Sequence, residues 1–333
     1  MKGIPPVPEG ECSLIEEIKG RFSSRDSGVL VGIGDDASML STPGSPLLVT
    51  TDAMVEGVHF DLSIMTPFQV GYKLAVSNIS DIHAMGGRPA WAQLALSVDS
   101  GRAEGFVDGF FDGLKDALDR YGVVLTGGDL TGSRGVISVS LSLLGLSGER
   151  VFKRNGANPG DWIYLTGPLG EPSIGFYLLK RLGLPVAFER GERLELEGET
   201  VWMEHLIRRF VLPELPDAPV QYGDRITSMI DISDGLSLDL WRICHQSGVG
   251  ATLIEDDLPI TPQMKMAAEQ TGIELLGHIL GGGEDYQLLF TSPEDIPDFY
   301  RIGRITSDGF LILRKTGREE KLPLRGYQHL VSV

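Results

Sequence analysis

The chain has 333 residues, long for one hydrophobic core and ample for two domains, and its 42% hydrophobic and 23% charged residues are ordinary for a folded protein. Its formal net charge is −17, with no basic stripe, which argues against a nucleic-acid backbone as partner. No segment reaches the roughly 18 consecutive apolar residues of a spanning helix, and Met1 to Gly10 lacks the apolar core of a signal peptide, so no membrane association is expected. Cys12 and Cys244 are too few for a disulfide framework and belong to no CxxC pair, which points to a reducing cytoplasm.

In chain order, Leu47 to Thr51 reads as a buried β-branched strand ending at Asp52. Thr66-Pro67 supplies an N-cap and a proline at the first helical position. The helix that follows carries Phe68, Tyr72, Ala75, Val76 and Ile79 on an apolar face, has Ser77 and Asp81 on its polar side, and stops at Gly86-Gly87. A second helix runs from about Glu104 to Tyr121, with Gly122 ending it. A short strand, Val123 to Leu125, is expected to end in Thr126-Gly127-Gly128-Asp129, and Val136 to Leu146 alternates like a long half-buried strand. The domain boundary is placed near residue 150, giving an N-terminal domain of 1–149 and a C-terminal domain of 150–333. The second half opens with the strand Trp162 to Thr166. The acidic stretch Glu189 to Glu204 reads as a solvated helical face. Ser228 to Ile230 is a strand ending at Asp231, after which Ser233 or Asp234 caps a helix closed by Gly248. Thr261-Pro262 opens another helix, and Gly281 to Asp285 leads into a strand from Tyr286 to Thr291. The fold class is therefore α/β (α+β), with mixed sheets flanked by helices. Cys244, Trp91 and Trp162 read as packing residues.

Five places share one design. Gly32-Ile33-Gly34-Asp35-Asp36, Thr51-Asp52, Gly127-Gly128-Asp129, Asp231-Ile232-Ser233-Asp234 and Gly282-Gly283-Glu284-Asp285 each set acids at or beside a strand end, mostly with glycine adjacent. Ligands of open α/β sheets gather beyond strand ends, and glycine lets backbone approach a phosphate or metal closely. Gly32-x-Gly34-x-x-Ala37 formally matches a dinucleotide fingerprint, but its variable positions are Asp35 and Asp36, which would face a pyrophosphate with like charge. No GxxxxGK[ST] loop and no EF-hand pattern is present. At about 4 Å and an effective dielectric of 20, each carboxylate–phosphate pair costs about 4 kcal/mol. Aspartates in such number can hold a nucleotide only with Mg²⁺ between, a hard ion that takes carboxylate, water and phosphate oxygens.

Together the strings GIGDDAS at 32–38, TTDAMVEGVHF at 50–60, AVSNISDIHAMGGRPAW at 75–91, TGGDLTGS at 126–133, KRNGANPGDWIYLTGPLG at 153–170, MIDISDGLSLDL at 229–240 and GGGEDYQLLF at 281–290 span nearly the whole chain. In this order they resemble the thiamine-monophosphate kinase family, within the superfamily of aminoimidazole ribonucleotide synthetase. The resemblance implies a two-domain aminoimidazole ribonucleotide synthetase-like fold and a homodimer built through sheets of the N-terminal domains. It also implies transfer of the ATP γ-phosphoryl group to thiamine monophosphate, with several Mg²⁺ ions. By match to the motifs, Asp36, Thr50, Thr51, Asp52, Asp81, Asp129, Asp231 and Asp234 are metal-site residues. Phe111, Gly128, Asp129, Arg154 and Ser233 would contact ATP, with Phe110 as an alternative to Phe111 beside adenine. His59, Glu284 and Tyr327 would face the thiamine moiety. No residue is expected to act as acid or base, because the acceptor is a phosphate oxygen already anionic at neutral pH; Arg154, Asp52 and Asp129 act electrostatically. The alternative is another ATP-using member of the superfamily. A selenophosphate synthetase would place its reactive cysteine beside glycine and lysine, which Cys12 lacks, and a purine-biosynthesis synthetase would lack the His59 and GGGEDY strings.

Overall fold

A computed structural model describes residues 3–8, 12, 13, 15, 16, 19, 28–44, 46–186 and 198–329. Most of the acidic stretch read above as a helical face, 189–197, lies outside the described residues. The first sheet comprises β1 (Val29–Val31), β2 (Ser38–Leu40), β3 (Leu47–Val55), β4 (Arg88–Asp99), β5 (Val124–Ser133) and β6 (Ser138–Leu146), in the order β1-β2-β3-β6-β4-β5. Only the β4–β5 pair of this sheet is parallel. Two helices accompany it, α1 (Pro67–Ala84) and α2 (Ala103–Arg120). The second sheet comprises β7 (Trp162–Leu165), β8 (Ser228–Asp231), β9 (Gly250–Ile254), β10 (Leu288–Ser292), β11 (Tyr300–Thr306), β12 (Phe310–Leu313) and β13 (Glu319–Lys321), in the order β13-β12-β9-β11-β7-β10-β8. With it go α3 (Glu171–Leu182), α4 (Glu204–Val211), α5 (Leu236–Ser247), α6 (Pro262–Thr271) and α7 (Leu275–Gly281). No helix among the described residues is long and apolar enough to cross a membrane.

Helix α1 organises the interior. Thr66 accepts from the Gln69 amide while the Gln69 side chain accepts from the Thr66 amide, a capping box with Pro67 at the first turn. α1 and α2 pack in close contact because glycines face each helix's partner: a Cβ on Gly71 would sit 2.0 Å from the Phe110 carbonyl, and one on Gly113 would sit 1.8 Å from that of Phe68. On other sides α1 meets β3, β6 and, from the second sheet, β8. It is therefore enclosed nearly all round, and its polar side is buried as well: Gln69, Lys73, Ser77, Asn78 and Ser80 are buried with the aliphatic residues.

Several boundaries depart from expectation. β3 does not end at Asp52 but runs to Val55, because its whole length pairs with β6 and ladder pairing overrides aspartate's poor strand propensity. The strand before the Gly127-Gly128-Asp129 motif likewise continues through it to Ser133, paired to β4. Gly128 is needed there because a Cβ would meet the Leu94 carbonyl at 2.0 Å. Neither Ser233 nor Asp234 caps α5 with its side chain; Gly235 is the N-cap, and the Asp239 carboxylate accepts from the Asp234 and Gly235 amides. The last strand of the GGGEDY segment begins at Leu288 rather than Tyr286, because Glu284 and Tyr286 hold φ of 58° and 50°, in the left-handed region. Trp91 is 41% exposed on β4, where strand alternation turns it outward, and Trp162 is half-buried with Arg301 and Arg304 each 4.5 Å from its ring. Cys244 is buried in the core, as read.

Candidate active site

Asp36 lies between β1 and β2, Asp81 near the end of α1 and Asp231 at the end of β8. One carboxylate oxygen from each falls within 4.8 Å of the others. Neighbouring side chains hold all three. The Thr50 hydroxyl donates to Asp81 Oδ2 at 2.5 Å, the Ser80 hydroxyl donates to Asp231 Oδ2 at 2.7 Å, and Arg154 Nη2 donates to Asp36 Oδ1 at 2.8 Å. Asp35 stands behind this group, accepting at Oδ1 from the Arg154 amide. Burial, reinforced by the neighbouring acids, holds Asp81 and Asp231 well above the usual carboxylate range. Asp36 Oδ2 is buried and meets no donor among the described residues.

Asp52 follows Thr50 on the same face of β3, and its amide donates to Asn78 Oδ1 of α1 at 3.1 Å. Burial raises its carboxyl, and the charge of Asp234 raises it further. Asp234 itself is gripped by Arg242 of α5, Nη2 to Oδ2 at 2.5 Å. Thr51, by contrast, points to the outer face of the sheet, where its hydroxyl meets that of Ser142 at 2.9 Å. Gly128 and Asp129 lie on β5, the exposed edge of the first sheet, apart from the three-aspartate group. Phe110 is fully buried, which leaves half-buried Phe111 as the ring open to a ligand. The Ser233 carbonyl accepts from the Glu284 amide at 2.7 Å.

The three residues matched to thiamine recognition fall in one neighbourhood. His59 Nδ1 accepts from the Val55 amide at 3.0 Å, and its Nε2 shares a hydrogen bond with His329 Nε2 at 3.2 Å. Tyr327 sets its ring edge-on to His329, 4.7 Å between centroids, and its amide donates to the Asp234 carbonyl. Burial, then the nearby His329, holds the His59 imidazole below the ordinary histidine range. Glu284 Oε2 pairs with Lys73 Nζ at 2.8 Å.

Four residues here escaped the sequence reading: Lys73, Ser80, Arg242 and His329. The signal for the first two was the polar stripe Gln69-Lys73-Ser77-Ser80-Asp81, which keeps helical spacing along α1. Arg242 and His329 carry no such signal.

The group suits a hard divalent ion on its own chemistry. The donors are carboxylate oxygens, they converge from three elements, one is orphaned, and among the described residues Arg154 is the cation that offsets their mutual repulsion. Fold and site together define a protein of the AIR synthase related class. The N-terminal domain model of that class matches residues 34–147 and its C-terminal domain model matches residues 158–314. The chain is 38% identical over 294 residues to a thiamine-monophosphate kinase of Salmonella typhimurium, covering 86% of this chain and 83% of that protein. It is 35% identical over 344 residues to the thiamine-monophosphate kinase of Escherichia coli, covering 97% and 99%. The solved structure of AaThiL complexed with AMPPCP and TMP superposes with a TM-score of 0.81 at 33% identity, covering 96% of this chain and 97% of that one. The chain belongs to the thiamine-monophosphate kinase family.

Proposed function

We propose that this protein transfers the γ-phosphoryl group of ATP directly onto the phosphate of thiamine monophosphate, giving thiamine diphosphate and ADP. The observation that carries the reading is the convergence of Asp36, Asp81 and Asp231 with one buried carboxylate oxygen left unpartnered. Asp36, Asp81 and Asp231 would hold Mg²⁺, joined by Asp52, Asp234 and the Thr50 hydroxyl, while Asp129, apart from them on β5, would take a further ion on the nucleotide side. Bound Mg²⁺ supplies the positive charge that lets two phosphate esters approach each other among carboxylates.

The chain's own residues do the rest by placement. Arg154, fixed by Asp36, keeps a buried Nε without a partner and so has donors for phosphate oxygens. Phe111, Gly128 and Ser233 line the nucleotide side. His59, Glu284 and Tyr327 face the cationic thiamine ring system, a carboxylate and aromatic faces being suited to a thiazolium. The acceptor oxygen is already anionic, so the chemistry requires in-line positioning and charge neutralisation, with no proton removed by the protein.

Strand β5, which carries Gly128 and Asp129, is an open sheet edge with Val124 59% and Leu130 66% exposed. We assign this edge to a homodimer contact, because an unpaired edge lined with apolar residues favours a second copy of the chain. The domain boundary is proposed at residues 149/150, between β6 and β7, and the working compartment is proposed to be the reducing cytoplasm. The test of function is direct. Purified protein is incubated with ATP, Mg²⁺ and thiamine monophosphate, and products are separated by chromatography. Thiamine diphosphate formed in step with ADP is expected; ATP turnover on a purine precursor without that product contradicts the proposal.

A further inference from the structure

We propose that Lys73 is a positioning residue that fixes the Glu284 carboxylate for recognition of a cationic ring in the substrate. The inference rests on reading the Glu284 region as the thiamine site. The Lys73 side chain is fully buried, with its ammonium 2.8 Å from Glu284 Oε2 and 3.7 Å from the centroid of the Phe210 ring. A buried ammonium is tolerated only with a compensating charge or ring face, and Lys73 has one of each. Glu284 is its ionic partner, and that partner comes from the other half of the chain.

Glu284 is otherwise loosely determined at its side chain. Its backbone is set by the left-handed φ of 58° and by the bond from its amide to the Ser233 carbonyl, but its carboxylate remains about one-third exposed. Lys73 takes Oε2 and leaves Oε1 for a ligand. An unanchored glutamate would lose rotamer freedom on each binding event, a cost that Lys73 removes beforehand. The anchor is itself rigid. Lys73 lies eight residues before Asp81 on the same polar stripe of α1, about 12 Å along the axis at 1.5 Å per residue. One helix therefore fixes the spacing between the recognition carboxylate and the phosphate-handling aspartates, leaving room for a ring and a short phosphate-bearing arm.

The experiment compares steady-state kinetics of wild type, Lys73→Met, Glu284→Gln and the double variant. Lys73→Met is expected to raise KM for thiamine monophosphate at least tenfold while KM for ATP and kcat change less than threefold. The double variant is expected to match Glu284→Gln alone, because Lys73 acts through that carboxylate. Should Lys73→Met be too unstable to assay, the double variant, which removes both charges, carries the same comparison. An unchanged or lower KM for thiamine monophosphate in Lys73→Met, a parallel rise in KM for ATP, or effects that multiply in the double variant would overturn the proposal. Wild type that fails to phosphorylate thiamine monophosphate sinks the underlying functional reading instead, so the two failures are separable.

Discussion

The Ser80 hydroxyl donates to Asp231 Oδ2 at 2.7 Å, joining α1 of the first half to the end of β8 in the second. Two residues 151 apart in sequence thus share one buried hydrogen bond at the centre of the aspartate group. A hydrogen bond to a charged group contributes about 1.5–3 kcal/mol, and its loss leaves Asp231 both mobile and still harder to ionise. Ser80→Ala is expected to lower kcat roughly tenfold and to raise the Mg²⁺ concentration needed for half-maximal rate. Kinetics across a Mg²⁺ titration check this; unchanged Mg²⁺ dependence would remove Ser80 from the account.

Asp52 is tied to α1 by the bond from its amide to Asn78, and burial pushes its carboxyl up. Asp52→Asn keeps the shape and removes the charge. The expected outcome is a kcat loss on the order of 100-fold or more, as for other electrostatic groups, with thermal stability retained or improved. Near-normal turnover in a folded variant would exclude Asp52 from the site.

The adjacent threonines make a pair of controls. Thr50 faces inward and donates to Asp81, whereas Thr51 faces outward to Ser142. Thr50→Val is expected to reduce kcat roughly tenfold, the equivalent of about 1.4 kcal/mol, and Thr51→Val to leave it within about threefold. The reverse order of effects would contradict the assignment of faces.

The metal-free protein is expected to lose stability as pH rises. Burial, with the charge of Asp36, lifts Asp35 from 3.8 to about 7, burial lifts Asp239 to about 7, and Asp81 and Asp231 are raised as well. These groups hold more protons folded than unfolded between 3.8 and their raised values, so their contribution is present below about pH 4 and is lost as pH rises through the folded values. Asp61, held at about 2 first by its bond from Lys180, acts in the opposite direction as pH falls below 4, and the imidazoles of His59, His83 and His278, which burial lowers from 6.5, act in the opposite direction as pH rises to 6.5. Melting temperature measured in EDTA should fall between pH 6.5 and 8, above the range where the histidines oppose it, and excess Mg²⁺ should flatten that fall. A slope that is the same with and without Mg²⁺ would count against a cation site among these carboxylates.

Much of the frame was readable from sequence, and the failures share a cause. The N-cap at Thr66, the proline at position 67 and the stop at Gly86 are local signals, and they located α1. Asp52 and the Gly127-Gly128-Asp129 motif look like strand ends locally, yet both lie within paired strands, because pairing partners are distant in sequence. Lys73 illustrates the harder case. A lysine on the polar side of an amphipathic helix ordinarily points to water. Only the packing of the second sheet and α4 against α1 buries it, and a single helical pattern contains no information about that second layer. The grip of Arg242 on Asp234 was hidden for the same reason, since it depends on how the segment before α5 folds back along the helix.

The account turns on aspartates from both halves of the chain forming one cation shell. Mn²⁺ binding followed by electron paramagnetic resonance, with a non-hydrolysable ATP analogue present, tests that most directly when wild type is compared with Asp81→Asn. The account predicts fewer or markedly weaker bound ions in the variant, in a protein that remains folded. Equal stoichiometry and equal affinity in the two proteins would contradict it.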